Sequence, residues 1–335
     1  MAKETIIPVF VPHLGCPHRC VFCNQHRISG QGKPATAADV ARALQKARFL
    51  GIKNAELAFY GGSFTAISAE KQTELLTAAR EGFSDGTVAS LRVSTRPDCI
   101  SEEILLRLRS FGVGTIELGC QSADDAVLSA SGRGHDAACI TLSAQKIKRH
   151  GFSLILQMMT GLPESTPAKD LATAKTLAAL RPDGVRIYPT VILRDSELYD
   201  LWRAGHYTEH TVETAVALCA DILPVFESAG IPVIRLGLNP TEELSSGEAV
   251  AGAYHPAFGE LVRSELLFRL ACEKIEAAPG EGGLCLAVAP RDLSAMIGQH
   301  KSNLSRLRAF CAPRSLRVVA DAACPPREIQ LTAES

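Results

Sequence analysis

Just after the first predicted strand, Ile6–Val11, stands the stretch Cys16-Pro17-His18-Arg19-Cys20-Val21-Phe22-Cys23. Its three cysteines, separated by three and by two residues, fit on one tight loop. Thiolates so placed can ligate three irons of a [4Fe–4S] cluster, and because most clusters take four cysteines, the fourth iron is left open. If S-adenosylmethionine (SAM) chelates that iron, an electron from the reduced cluster cleaves its C5′–S bond and releases a 5′-deoxyadenosyl radical.

The same three cysteines have a second interpretation, as a zinc knuckle or as reduced structural thiols. Zinc normally takes four ligands, and His13, His18 or His26 would supply the missing one. The remaining eight cysteines show no compact ligand spacing, and we expect them to be small buried residues. They are Cys99, Cys120, Cys139, Cys219, Cys272, Cys285, Cys311 and Cys324.

Length and composition restrict the class of protein. The length of 335 residues allows one large domain, or a large and a small one, and 46% of the residues are hydrophobic. The net charge of −1 gives no strong overall electrostatic field that would mark a nucleic-acid or membrane binder. The first residues lack the apolar core of a signal peptide, and no run approaches the roughly 18 apolar residues of a membrane span. We therefore expect a cytoplasmic protein in a reducing compartment, with no membrane partner.

Strand and helix patterns alternate from Ile6 to Leu238. This alternation predicts parallel strands joined by right-handed crossovers, with the chemistry at the carboxyl ends of the strands. The unusual turns all fall at such ends. They are the cysteine loop, Gly61-Gly62-Ser63-Phe64-Thr65, Ser94-Thr95-Arg96-Pro97, Gly119-Cys120-Gln121-Ser122 and Gly161-Leu162-Pro163. The predicted fold is α/β, a partial β/α barrel of about six strands over residues 1–238.

Residues 239–335 have a different pattern, typical of a small α+β domain. Asn239–Gly259 is loop-like, Phe258–Ala277 is an amphipathic helix, and two strands flank a helix at Leu293–Phe310. The charge is polarised, with eight acids against three bases in residues 241–290 and seven bases against two acids in residues 291–327. We expect this domain to be a lid over the barrel or a handle for RNA.

The motifs together resemble the radical SAM superfamily. Within it, the chain is similar to the radical SAM domain of the Elongator catalytic subunit and its shorter bacterial relatives, over about Ile6 to Leu238. Oxygen-independent coproporphyrinogen oxidases share several of the same turns. The matching segments are the cysteine motif, Gly61-Gly62-Ser63-Phe64, Thr95-Arg96-Pro97-Asp98, Glu117-Leu118-Gly119-Cys120-Gln121-Ser122, Arg133-Gly134-His135, Ile187-Tyr188-Pro189-Thr190 and Leu198-Tyr199-Asp200-Leu201-Trp202.

The resemblance implies a radical SAM barrel with six β/α units, a [4Fe–4S] cluster and SAM. Cys16, Cys20 and Cys23 would hold the cluster, and Phe22 would lie next to the adenine. The other matching positions concern SAM alone. They are Gly61, Gly62 and Ser63 for its amino group, Arg133 for its carboxylate, Gln121 and Gln157 for carboxylate and ribose, and Ser94 where relatives often have Glu.

Each of these residues also has an ordinary structural interpretation. The Gly-Gly turn is by itself only a loop, Arg133 is a surface charge, and Gln121 caps the helix predicted to begin at Ser122. Only about 95 residues follow the barrel, and we expect no acetyltransferase domain among them. Uridine carboxymethylation through acetyl-CoA is therefore not implied for this chain.

One segment of the small domain, Ile297-Gly298-Gln299-His300-Lys301-Ser302-Asn303-Leu304, resembles the Ile-Gly-x-x-Gly loop of KH domains, which clamps single-stranded nucleotides. Lys301 stands where the second glycine belongs. With Arg306, Arg308, Arg314 and Arg317 it forms a basic face, which either contacts RNA or pairs with the acidic half of the same domain.

Three functions follow as hypotheses. The first is a radical SAM enzyme acting on tRNA or another RNA, with an external reductant of the flavodoxin or ferredoxin type. The second is a radical SAM enzyme acting on a small molecule or a peptide. The third is a non-catalytic Fe–S protein for electron transfer or sensing, which would need a fourth protein ligand. The sequence does not identify catalytic residues.

Overall fold

The structure is a computed structural model that describes residues 5–11, 16–24, 34–239 and 247–334. The strands are β1 (Ile6–Phe10), β2 (Ala55–Tyr60), β3 (Val88–Thr95), β4 (Val113–Gln121), β5 (Ser153–Thr160), β6 (Gly184–Pro189), β7 (Val191–Leu193), β8 (Val233–Leu236), β9 (Ala249–Gly252), β10 (Gly283–Val288), β11 (Leu316–Ala320) and β12 (Ile329–Glu334). The helices are α1 (Ala37–Phe49), α2 (Ala69–Arg80), α3 (Glu102–Ser110), α4 (Asp125–Ala130), α5 (Ala137–Arg149), α6 (Pro167–Ala179), α7 (Glu197–Arg203), α8 (Val212–Ser228), α9 (Phe258–Ala277), α10 (Leu293–Ile297) and α11 (Ser302–Cys311). Among these helices none is long and apolar enough to cross a membrane.

The main sheet has seven strands in the order β1-β2-β3-β4-β5-β6-β8, and every neighbouring pair is parallel. Helices connect the strands, as parallel pairing requires. The α/β class and the partial barrel predicted from the sequence are confirmed, and the sheet has one strand more than the six expected. Because all seven strands run the same way, their carboxyl ends meet at one edge.

Local sequence explains where the connecting helices begin. The Ser101 hydroxyl accepts a hydrogen bond from the Ile104 backbone N–H at 3.2 Å, which caps α3. Thr166 caps α6 in the same way, and Pro167 occupies its first turn. The strand interiors are apolar, and Leu154, Leu156 and Met158 of β5 are fully buried.

A short antiparallel pair, β7 with β9, was missed by the sequence analysis. Strand β9 lies in the segment that was predicted to be a loop, and only three residues of β7 pair with it. So short a ladder gives no readable alternation in sequence.

The chain divides into two units, one of residues 1–211 and 222–254 and one of residues 212–221 and 255–335. In the second unit, β10 pairs with β11 in parallel and with β12 antiparallel. A core that includes Leu286, Met296 and Leu307 joins this sheet to the helices. The continuous helix predicted over Leu293–Phe310 is wrong, because Gly298, at φ +77°, ends α10 and a turn precedes α11.

Candidate active site

The cysteine loop is fixed to two parts of the barrel through Val21. The Val21 backbone N–H donates to the Ser131 carbonyl at 3.2 Å, and its carbonyl accepts from the Leu198 N–H at 2.8 Å. The Val21 side chain is buried in a cluster with Ile192 and Leu198. Within the loop, the Cys23 N–H donates to the Cys20 carbonyl at 3.0 Å. The loop is thereby fixed between the segment after α4 and the start of α7.

Two arginines lie beside the middle cysteine. Arg133 Nη1 donates to Cys20 Sγ at 3.2 Å, and Arg96 Nη1 lies 3.9 Å from the same sulfur. Asp98 holds the Arg96 guanidinium at 2.9 Å, and Arg96 also donates to the Arg133 carbonyl. Both arginines are buried, so the interpretation of Arg133 as a surface charge is wrong. Two guanidinium groups beside one sulfur suit an anionic ligand set.

The Arg133 side chain also contacts the end of β4 and the following turn. It donates through Nη2 to the Gly119 carbonyl, and its Nε lies 3.3 Å from His135 Nε2. Burial lowers the pKa of His135 to about 4, and the Arg133 charge is the second largest cause of this shift. His135 is therefore a neutral imidazole near pH 7.

Gln121 ends β4 and carries a buried amide oxygen without a partner. The residue is 9% exposed, its φ is +69°, and its Oε1 finds no hydrogen-bond partner among the described residues. The helix that follows is capped by Asp124, whose side chain accepts from the Val127 N–H at 3.0 Å. The capping role considered for Gln121 is therefore wrong. A buried unpaired oxygen costs free energy, so Gln121 is a position where a bound polar ligand would be stabilising.

Gly119 leaves room for both side chains. A methyl group there would lie 3.2 Å from Gln121 Nε2 and 3.5 Å from Arg133 Nη2. These are close contacts for a carbon atom, so glycine lets the amide and the guanidinium converge on the strand end.

The Gly61-Gly62-Ser63 turn follows β2 at the same edge of the sheet. Gly61 has φ +105°, in a region that other residues rarely adopt. Both glycines are half-buried, and Ser63 is buried. The next residues are tied to β3, because the Thr65 and Thr95 hydroxyls lie 2.5 Å apart. The turn thus places backbone polar groups at the carboxyl ends of two neighbouring strands.

Phe22, Ser94 and Gln157 lie in other surroundings. Phe22 is half-buried and packs, as Tyr199 and Trp202 do, against the buried cluster that contains Val21. Ser94 is half-buried and is in register with Glu117 on β4. Gln157 Nε2 donates to Glu117 Oε2 at 2.8 Å, so the structure brings Gln157 to the barrel interior rather than to Arg133.

Glu117 is the centre of an ionic network that sequence reasoning missed. Its Oε1 accepts from Arg92 Nη1 and from Arg186 Nη2, both at 2.8 Å, and lies 3.3 Å from the Tyr60 hydroxyl. Arg92 also pairs with Glu56. Glu117 itself is 0% exposed. The available signal was a single charged residue in the middle of each apolar strand segment, as in Ile116-Glu117-Leu118 and Val185-Arg186-Ile187.

The three cysteines of the motif are half-buried, and the structure places none of them in a disulfide. In the parts of the chain that the structure describes, no three His, Cys, Asp or Glu side chains are gathered as a metal-binding group. His18 is exposed, while His13 and His26 lie outside the described residues. Three thiols on one fixed loop and two adjacent guanidinium groups nevertheless fit a thiolate-bound iron–sulfur cluster with an anionic co-ligand. The unpaired Gln121 amide oxygen fits a hydrogen-bond donor of that co-ligand.

Comparison with known families identifies the class of protein. The profile of the Radical SAM superfamily matches residues 10–177, half of the chain. The chain belongs to the radical SAM superfamily. A second profile, the Radical_SAM C-terminal domain, matches residues 182–267. As a radical SAM protein the chain is an enzyme, and the family's cofactors are an iron–sulfur cluster and SAM.

The similar curated proteins include a tRNA-modifying enzyme and Elongator subunits. The tRNA uridine(34) acetyltransferase of Dehalococcoides mccartyi is 25% identical over 254 residues, which cover 65% of this chain and 55% of that protein. Elongator complex protein 3 of Homo sapiens is 27% identical over 192 residues, which cover 51% of this chain and 35% of that protein. The chain therefore spans about half or less of the length of these relatives.

Solved structures confirm the fold. The archaeal Elp3 of Methanocaldococcus infernus with an N-terminal deletion superimposes with a TM-score of 0.63 at 21% identity, covering 79% of this chain and 63% of that one. Coproporphyrinogen III oxidase (HemN) of Escherichia coli gives a TM-score of 0.50 at 19% identity, covering 68% and 54%. At such identities the likeness shows the shared barrel fold.

Proposed function

We propose that Cys16, Cys20 and Cys23 hold a [4Fe–4S] cluster whose open iron binds SAM, and that the enzyme acts on RNA. The observation that carries the first part is the convergence of Arg133 and Arg96 on Cys20 Sγ. When bound, such a cluster would supply the electron for reductive cleavage of SAM, and the pair would provide radical hydrogen abstraction from the substrate.

The chain's own residues would bind and orient SAM. Arg133 is buried and positioned for a carboxylate, and Gln121 Oε1 is an unpaired acceptor for an ammonium or hydroxyl group. The Gly61-Gly62-Ser63 turn offers half-buried backbone carbonyls to the amino group. In this proposal Phe22 lies against the adenine, and Ser94 and Gln157 line the interior next to the ribose.

Two observations support RNA as the substrate. The name of the Dehalococcoides relative refers to a tRNA uridine, although that relative is matched over only 55% of its length. In the second unit, the turn Gly298-Gln299-His300-Lys301 joins helices α10 and α11. These helices follow β10 and precede β11 along the chain, and the two strands are parallel. Lys301, at φ +62°, takes the left-handed conformation expected of the glycine that KH loops have there.

The basic face of this unit is partly used internally. Arg306 pairs with Glu265 at 2.8 Å and stacks on the Phe268 ring, and Arg314 donates to the Gly282 carbonyl at 2.8 Å. Lys301, Arg308 and Arg317 are exposed. Of these, Lys301 is in the turn and Arg308 is on α11, the helix that follows it, so the RNA contact would be made by Lys301 and Arg308.

A small molecule or peptide is the second candidate substrate, and the charged barrel interior around Glu117 favours it. Such an interior recognises a compact polar group more readily than a polymer. RNA binding by Lys301 and Arg308 is what separates the two candidates.

The first experiment tests SAM cleavage. The full chain would be reconstituted anaerobically with iron and sulfide, reduced in the presence of SAM and assayed for 5′-deoxyadenosine. We expect the product in the native protein, none in Cys20→Ala, and SAM binding weakened about tenfold or more in Arg133→Gln because a carboxylate partner is lost. Arg149→Gln, at an exposed arginine, is the matched control. A well-formed cluster that never cleaves SAM would overturn the proposal.

The second experiment tests RNA. Binding of a fluorescein-labelled single-stranded decanucleotide is measured from low to high salt for the native chain, Lys301→Gln and Arg308→Gln. Each substitution should weaken binding and reduce the slope of log K against log salt by about 0.7, since one phosphate contact is lost. Equal affinity and slope in all three proteins would exclude this loop as the RNA contact.

A further inference from the structure

A row of polar side chains lies along the interior of the barrel on three adjacent strands. Gln157 of β5 is in register with Arg186 of β6, which is in register with Arg235 of β8. Partners in register on neighbouring strands present their side chains on the same face. All three residues, and Tyr188 two positions after Arg186, are partly exposed, whereas the alternate residues Val185 and Ile187 are fully buried. The row therefore faces an accessible interior.

Among the described residues, Arg235 is placed differently from the other two arginines of this interior. Arg92 pairs with Glu56 and Glu117, and Arg186 pairs with Glu117. Arg235 donates through Nε to the Gly237 carbonyl at 3.1 Å, and among the described residues no carboxylate lies within ion-pair distance of it. Arg235 thus differs from Arg92 and Arg186, each of which pairs with at least one carboxylate.

Burial is the largest influence on the pKa of Arg235 and lowers it; Tyr188 acts in the opposite direction, and the Arg186 charge adds to the lowering. The guanidinium nevertheless stays charged near pH 7, because arginine is not deprotonated in proteins. A half-buried cation next to another cation is stabilised when an anion joins it.

We propose that Arg235, with Arg186 and Tyr188 beside it, binds an anionic group of the substrate, a phosphate or a carboxylate, in the barrel interior. The planar fork of arginine matches both groups. This inference rests on the proposed function in taking the interior as the substrate site. A tyrosine is neutral at pH 7, and burial raises the pKa of Tyr188 further, so its hydroxyl would donate a hydrogen bond to the same anion.

The test measures anion binding directly. Sodium phosphate and sodium acetate are each titrated calorimetrically, at constant ionic strength, into the reconstituted full chain. We expect saturable binding of at least one anion in the native protein, about tenfold weaker in Arg235→Gln and weakened only two- to threefold in Arg235→Lys, which keeps the charge without the fork. Tighter phosphate binding would identify a phosphoryl group, and tighter acetate binding a carboxylate.

The controls separate this site from others. Arg149→Gln, at an exposed arginine of the same unit, should bind the anion as the native chain does. Equal binding in the native chain and Arg235→Gln, or no binding of either anion, would overturn the inference. Loss of anion binding when SAM saturates the protein would also overturn it, since the site would then belong to the SAM carboxylate.

Cys20→Ala separates the inference from the proposed function. It should lose 5′-deoxyadenosine formation and keep anion binding, because Cys20 is on the loop after β1 and Arg235 is on β8. A native chain that binds phosphate at Arg235 but never cleaves SAM would defeat the proposed function alone. A chain that cleaves SAM but binds neither anion would defeat the inference alone.

Discussion

At the scale of single residues, Glu117 is the buried carboxylate that pairs with two arginines of the barrel interior. Glu117→Gln keeps the shape of the side chain but removes the charge shared by Arg92 and Arg186. Breaking a buried ion pair on one side costs about 3–5 kcal/mol, and we expect a loss of that size in the free energy of unfolding measured by urea denaturation. Glu103→Gln, at a carboxylate whose side chain is 81% exposed, should cost less than about 0.5 kcal/mol. Equal losses in the two variants would show that the network contributes no stability.

The difference between Arg133 and Glu117 also shows what the sequence could reveal about the site. Arg133 and the three cysteines were identified because they belong to motifs that can be recognised from their residue spacing in the sequence. Glu117 also belongs to a matching motif, but its pairing with Arg92 and Arg186 was missed because it depends on the register of β3, β4 and β6, which spacing does not specify. Gln157 was recognised as a polar position, but its hydrogen bond to Glu117 follows from the same register.

At the scale of elements, the turn between α10 and α11 depends on Gly298. It has φ +77°, and a methyl group there would lie 2.8 Å from the Asn303 backbone nitrogen. Gly298→Ala therefore adds a clash to the backbone strain, and we expect it to cost at least about 2 kcal/mol in thermal or urea unfolding. Gly280→Ala is the matched control, because Gly280 has φ +81° and nothing within 4 Å, so its cost should be about 1 kcal/mol. Equal costs would mean that the close approach is relieved by relaxation.

The elements themselves were mostly predictable. The alternation of strand and helix patterns expected from Ile6 to Leu238 is confirmed by the parallel strands of the main sheet and the helices between them, although the short helix α7 was not predicted. The single helix expected over Leu293–Phe310 was wrong because its apolar spacing continues across Gly298, where only the backbone turn interrupts it. Strand β12, Ile329–Glu334, was missed because it pairs at the edge of its sheet next to the chain terminus.

At the scale of the whole molecule, buried titratable groups set the dependence of stability on pH. Burial lowers the pKa of His210 to about 4, and His135 is lowered to the same value. Between pH 4 and 6.5 the unfolded chain therefore binds more protons at these imidazoles than the folded chain does, so their effect lowers stability as pH falls. Burial raises the pKa of Asp170 to about 6, which acts in the opposite direction between pH 6 and 4.

Two imidazoles outweigh one carboxyl group, so the native chain should be less stable at pH 5 than at pH 7. His210 Nε2 lies 3.3 Å from the Thr160 hydroxyl, and His210→Gln keeps a polar partner there while removing the titration. Each imidazole contributes at most about 1.4 kcal/mol per pH unit in this window, so the variant should lose less stability between pH 7 and 5 than the native chain. Urea midpoints at the two pH values measure the difference. If the loss of unfolding free energy between pH 7 and 5 is the same in His210→Gln as in the native chain, His210 is protonated in the folded protein. The imidazole would then be better solvated than its position next to Gly161 indicates.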